Sequence, residues 1–215
     1  MPIRGSRRWV GIVLVTLMAA TVGGLATFKR LLPQPPTPLV GSVLTPPISA
    51  FGFRLRDQDG REVSLAGFRG KVVVLTFLYT HCPDVCPLIA EKLHRTYAQL
   101  GILARHVAFI AVSVDPRGDT GPAVRAFLAA HHVRGELEYL TGSPAQLRPI
   151  WAQYYIGTRG LDPEAGAVAA TIGNITHTAL AYVIDPRGQI RVFLSADFTP
   201  KALMTDLKIL APPQT

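Results

Sequence analysis

Two uninterrupted apolar runs constrain this chain most: Lys71–Tyr79, "KVVVLTFLY", and Val107–Val114, "VAFIAVSV". Both are rich in β-branched and aromatic residues and neither alternates with polar positions. That pattern belongs to strands covered on both faces, the usual condition of a parallel sheet flanked by helices. Amphipathic stretches follow each run, to about Leu100 and from Pro122 to His131, so strand and helix alternate as in an α/β domain.

The remaining elements refine the expectation. Phe51 to Arg56 reads as a short strand ending at the turn Asp57-Gln58-Asp59-Gly60, and Leu137 to Leu140 as another. Ser143-Pro144 opens a helix running to about Tyr154, and Thr199-Pro200 caps a last one. Between them, Thr178–Ile184 and Gln189–Leu194 form a hairpin around Asp185-Pro186-Arg187-Gly188. Strand–helix–strand–helix followed by a hairpin and a terminal helix is the order of a thioredoxin-like α/β domain, expected here over residues 48–215.

Two segments precede that domain. Residues 1–32 hold Arg4, Arg7, Arg8, Lys29 and Arg30, no acid, and an uncharged run from Trp9 to Phe28 long enough to cross a hydrocarbon core. This reads as a single transmembrane helix serving as an anchor, with a cleavable signal segment ending near Gly24-Leu25-Ala26 as the rival. Either exports the rest. The arginines before the span favour an inside N-terminus, placing the domain on the periplasmic side of a bacterial inner membrane. Proline-rich residues 33–47 read as a stiff spacer. The formal charge of +8 resides mostly in the first segment; 17 basic and 14 acidic residues remain beyond it. With no basic run and interleaved aromatics there, nucleic acid is not an expected partner.

The chain has two cysteines, Cys82 and Cys86, each followed by proline, just past the first buried run. Pro87 is expected to start the helix, leaving the cysteines in a tight preceding turn near its positive end, where thiolate is favoured. A structural disulfide closes too small a loop to stabilise much. A dithiol oxidoreductase ordinarily uses C-x-x-C, and the threonine or serine of a peroxidatic motif is absent three residues before either cysteine. Two thiolates hold copper(I) linearly, or with one imidazole in a three-coordinate soft site, whereas zinc usually demands four ligands. His81 adjoins Cys82 and reads as a surface or capping residue. His94 shares a solvated helix face with Glu91 and Arg95, His106 lies in a loop, and His131-His132 ends a helix. His177 stands apart, because the loop before the hairpin strand approaches the first cysteine loop in a thioredoxin-like fold.

"FLYTHCPDVCP", "VSVDPRGDT" and "THTALAYVIDPRG" together resemble the SCO/SenC family of membrane-anchored, copper-binding thioredoxin-like proteins, over about residues 45–210. The resemblance implies a copper chaperone for cytochrome c oxidase assembly, delivering the metal to the binuclear centre of subunit II. It implies Cys82, Cys86 and His177 as ligands for copper(I), and for copper(II) where that state is used. Asp115 and Asp119 match the family's D-P-x-x-D element, which supports the site or a partner surface, or else turns the strand end and caps the next helix. The pattern departs at Gly118, where relatives often carry arginine. The expected action is carriage rather than catalytic turnover. An oxidising compartment would pair the thiols as a redox disulfide, so a thioredoxin-like reductant and a copper donor are expected partners. A thiol–disulfide oxidoreductase acting on the acceptor's cysteines, or a copper or redox sensor, are the alternative readings.

Overall fold

The computed structural model describes residues 38–156 and 180–212. The strands are β1 (Ser42–Ser49), β2 (Arg54–Asp57), β3 (Glu62–Ser64), β4 (Val72–Leu78), β5 (Val107–Ser113), β6 (Leu137–Thr141), β7 (Leu180–Ile184) and β8 (Gln189–Ser195). The helices are α1 (Val85–Tyr97), α2 (Gly121–Ala130), α3 (Pro144–Gln153) and α4 (Pro200–Leu210). All these strands join one sheet in the order β1-β8-β7-β4-β5-β6-β2-β3.

The two apolar runs form the centre of that sheet. β4 and β5 pair in parallel from Val72↔Val107 to Leu78↔Ser113, and β6 continues in parallel beside β5. Every residue of β4 is buried, as a strand covered on both faces requires. On the other side β7 runs antiparallel to β4 and β8 antiparallel to β7, the expected hairpin. This is a mixed α/β sheet of thioredoxin-like type.

Helix boundaries follow local chemistry. In α1 the buried positions Cys86, Ile89, Ala90, Leu93 and Thr96 recur at helical spacing and face the sheet. Ser143 caps α3 through a capping box with Gln146, and Thr199 accepts a hydrogen bond from the Ala202 amide at the start of α4. Thr120, rather than either neighbouring aspartate, caps α2 by accepting from the Ala123 amide.

Two expectations are corrected. α1 begins at Val85, two residues before Pro87, so Cys86 lies inside the first turn. Proline is tolerated there because the first four helical amides have no partner within the helix. The second half of the expected spacer is strand: β1 pairs with β8 at Ser42↔Phe193 and Val43↔Val192, shifts register, and pairs again at Ile48↔Ile190 and Ser49↔Gln189. Its prolines, Pro46 and Pro47, fall in the shifted stretch of an edge strand, where a missing amide disturbs no central ladder. Asp206 of α4 anchors the approach to this strand by accepting the Val40 amide at 2.6 Å and the Gly41 amide at 3.3 Å. Among the described residues, those from Leu39 onward belong to one compact unit. No described helix is long and apolar enough to cross a membrane; the expected anchor, residues 1–32, lies outside the described residues.

Candidate metal centre

β4 delivers the chain to the cysteine loop at the carboxyl edge of the parallel strands. The loop is tied down at its root: the Val114 amide donates to the Leu78 carbonyl (2.9 Å) and the Cys82 amide to the Tyr79 carbonyl (3.3 Å). Asp119 makes the longest-range tie. Its Oδ1 accepts the Thr80 amide at 2.7 Å, and its Oδ2 accepts the Ser113 hydroxyl at 2.6 Å and the Tyr139 hydroxyl at 2.9 Å. One buried carboxylate thus joins the cysteine loop to the end of β5 and the middle of β6. Burial pushes its pKa up, against the hydrogen bonds from Ser113, Thr80 and Tyr139.

Asp115 has a different task. Its Oδ1 accepts the amides of Arg117 (3.2 Å) and Gly118 (3.0 Å), the geometry of an aspartate-stabilised turn. The carboxylate folds over Gly118, where an added Cβ would stand 2.2 Å from Asp115 Oδ2 and 3.3 Å from His81 Nδ1. Glycine here permits that approach. His81 also bonds Thr80 Oγ through Nδ1 at 3.1 Å. His81, Asp115 and Asp119 therefore converge, each offering a nitrogen or oxygen within 4.8 Å of the others. The sequence pointed to the two aspartates but read His81 as a bystander; only the folded loop brings it to them.

Cys82 and Cys86 are both buried and are not joined as a disulfide. The Cys86 amide donates to Cys82 Sγ, 3.4 Å away; first-turn amides find their acceptors outside the helix ladder. The two thiols are held in opposite states. A hydrogen bond from the Cys86 thiol, opposed by burial and reinforced by the Asp84 and Cys86 amides and the Tyr79 hydroxyl, brings Cys82 down to about 5. Donating to Cys82, together with burial, pushes the Cys86 thiol well up. The shifts run in opposite directions, favouring the thiolate at Cys82 and the proton at Cys86. A soft cation is matched by this donor set once that proton leaves.

His177 lies outside the described residues. β7, which begins at Leu180, runs antiparallel to β4 with Ala181 opposite Thr76, so its first residues stand at the same sheet edge as the cysteine loop. Thr76 Oγ donates to the Leu180 carbonyl at 3.1 Å there.

A thioredoxin-like domain with a Cys-x-x-x-Cys pair astride a helix N-terminus defines a thiol-bearing α/β protein of narrow type. The SCO1/SenC family model matches residues 46–211, and the chain belongs to that family. It is 25% identical over 205 residues to an SCO2-like protein of Rickettsia conorii, covering 93% of this chain and 96% of that one. It is 34% identical over 142 residues to the mitochondrial SCO2 homolog of Bos taurus, covering 63% of this chain and 50% of that protein. Among solved structures, Bradyrhizobium japonicum ScoI with copper bound is 32% identical, with a TM-score of 0.59, covering 76% of this chain and 99% of that one. Apo Sco1 of Thermus thermophilus is 28% identical, with a TM-score of 0.64, covering 80% and 95%.

Proposed function

We propose that this protein is a copper carrier in cytochrome c oxidase assembly, taking copper(I) on Cys82 and Cys86 and completing the site with His177. The carrying observation is the thiol pair itself: two buried sulfurs at one helix start, with the Cys86 amide turned to Cys82 Sγ and the Cys82 pKa lowered by its neighbours. Soft thiolates select copper(I), and burial shields the loaded metal from water and oxidant. The copper-bound Bradyrhizobium relative supports the choice of metal. His177 precedes Leu180 by three positions, a chain length of about 10 Å, so the sheet edge that bears the cysteines is within its reach.

In this reading residues 1–32 anchor the domain to the inner membrane, the domain faces the periplasm, and the acceptor is the binuclear centre of subunit II. Copper passes by ligand exchange, the acceptor's thiolates replacing Cys82 and Cys86 one at a time. A thioredoxin-like partner keeps the pair reduced and a donor protein loads it.

The thiol asymmetry also favours a second reading. A low-pKa, slightly exposed Cys82 beside a high-pKa Cys86 is the arrangement of an attacking and a resolving thiol. The dithiol would then reduce an acceptor disulfide, ending as the Cys82–Cys86 disulfide while the acceptor gains two thiols. Anaerobic titration of the reduced chain with copper(I) against a competing chelator separates the readings. The carrier binds one equivalent tightly, loses affinity sharply in His177→Ala, and releases its copper to apo subunit II. Unchanged affinity in His177→Ala, with rapid disulfide exchange toward a subunit II peptide, supports the reductase and sinks the carrier.

A further inference from the structure

A further group of side chains of metal-ligating type, His94 of α1 with Glu136 and His132, lies away from the thiols. His94 Nδ1 meets Glu136 Oε2 at 2.9 Å. With a carboxylate as its acceptor, Nδ1 carries the hydrogen, so in the neutral ring Nε2, on the far side, is the lone-pair nitrogen. A carboxylate that fixes one imidazole nitrogen while the other is presented is the supporting arrangement of histidine metal ligands. The ring facing His94 is that of His132, with centroids 6.0 Å apart and planes inclined by 41°. These residues come from α1, the end of α2 and the loop before β6, so the fold and not local sequence assembles them.

The backbone at His132 adds an independent observation. The Val133 amide bonds the Leu128 carbonyl at 3.0 Å and the His132 amide bonds Ala129 at 3.3 Å, a Schellman ending for α2. Its left-handed position is ordinarily glycine, yet His132 occupies it at φ 59°. The chain accepts a strained, Cβ-bearing residue where glycine fits better, and that residue faces another histidine. Residues held in such conformations concentrate at functional positions.

We propose that His94 and His132 bind a divalent first-row cation of the class imidazole favours, zinc(II) or copper(II), with Glu136 orienting His94. His132 is exposed, and turning its ring about the side-chain bonds, a fast motion for such a residue, brings its nitrogen to the ion. Water fills the remaining positions. The site stands eight residues from Cys86 along one helix, about 12 Å at 1.5 Å per residue. It is chemically distinct from the thiol pair, with nitrogen ligands for a borderline cation instead of sulfur for a soft one. The proposal does not depend on the copper-carrier reading.

The test titrates zinc(II) alone into the full chain carrying Cys82→Ser and Cys86→Ser, against a chromophoric chelator. One competed equivalent is expected, lost on adding His94→Gln or His132→Gly, weakened about 10- to 100-fold by Glu136→Gln, and unaffected by His81→Gln. His132→Gly suits the left-handed position, so its melting temperature should hold or rise, and lost zinc cannot then be ascribed to unfolding. Zinc retained in either histidine variant, no competed equivalent in the thiol-free chain, or loss in His81→Gln overturns the proposal. Undiminished affinity in Glu136→Gln overturns the orienting role.

Discussion

Replacing Cys86 with alanine should change the chemistry of Cys82 more than its position. Cys82 is held at about 5 chiefly by the hydrogen bond that the Cys86 thiol donates to it. An ordinary cysteine titrates near 8.5, so this bond is the main stabilisation of the Cys82 thiolate. Burial opposes that stabilisation, so removing the largest favourable contribution leaves the Asp84 and Cys86 amides and the Tyr79 hydroxyl working against it alone. We expect the midpoint to climb by at least about two units. The assay is alkylation of Cys82 at a series of pH values, followed by mass spectrometry. Midpoints are compared and not rates at one pH, because a thiolate of higher pKa is also the better nucleophile. The reduced wild type should show half-maximal alkylation near pH 5, and Cys86→Ala near or above pH 7. The proton favoured at Cys86 has a second consequence: copper(I) loading at pH 7 should release about one proton per ion, since the low pKa of Cys82 leaves that ligand already deprotonated. A wild-type midpoint in the ordinary thiol range, or an unmoved midpoint in Cys86→Ala, would refute the reasoning.

Further outcomes follow from the carboxylates. Asp119→Ala strands three donors around a buried hole, at roughly 1–3 kcal/mol each, so chemical denaturation should show a loss of at least about 3 kcal/mol. Because burial raises the Asp119 pKa, its protonated form favours the fold. That contribution is complete below the unfolded value near 3.8 and fades as pH rises through the higher folded value. Wild type should therefore exceed Asp119→Asn in stability by a larger margin at pH 4 than at pH 8. Asp206→Ala removes the acceptor of the Val40 and Gly41 amides, and hydrogen exchange should accelerate along β1 while β4 and β5 keep their protection. Gly118→Ala drives a Cβ into Asp115 Oδ2, and NMR should show the Arg117 and Gly118 amides released from the turn with the global fold intact.

Much of the architecture was legible because the strongest signals were local. The β4 and β5 runs announce their burial in composition alone, and the Asp-Pro-Arg-Gly turn fixes the hairpin. β1 was hidden by Pro46 and Pro47, which look like spacer until β8 supplies the missing partner. The start of α1 was displaced because Pro87 forbids a helix only where its amide would be needed, and in the first turn it is not. At the site, the cysteines were visible from spacing, but the bond from Cys86 that sets the state of Cys82 required the helical turn. Asp119 stood out beside Asp115, yet its partners Thr80 and Tyr139 are remote in sequence, so its role as the tie of the cysteine loop could not be read. The meeting of His94 with His132 was invisible for the same reason, each appearing as an ordinary polar residue of its own helix.

The central claim is that two thiolates and one distant imidazole hold a single copper(I) ion. X-ray absorption on the copper(I)-loaded, reduced chain tests it most directly. The account predicts a nearest shell of two sulfurs and one nitrogen, with the nitrogen lost in His177→Ala and both sulfurs retained. A sulfur-only shell in the wild type, or a nitrogen that survives in His177→Ala, would contradict it.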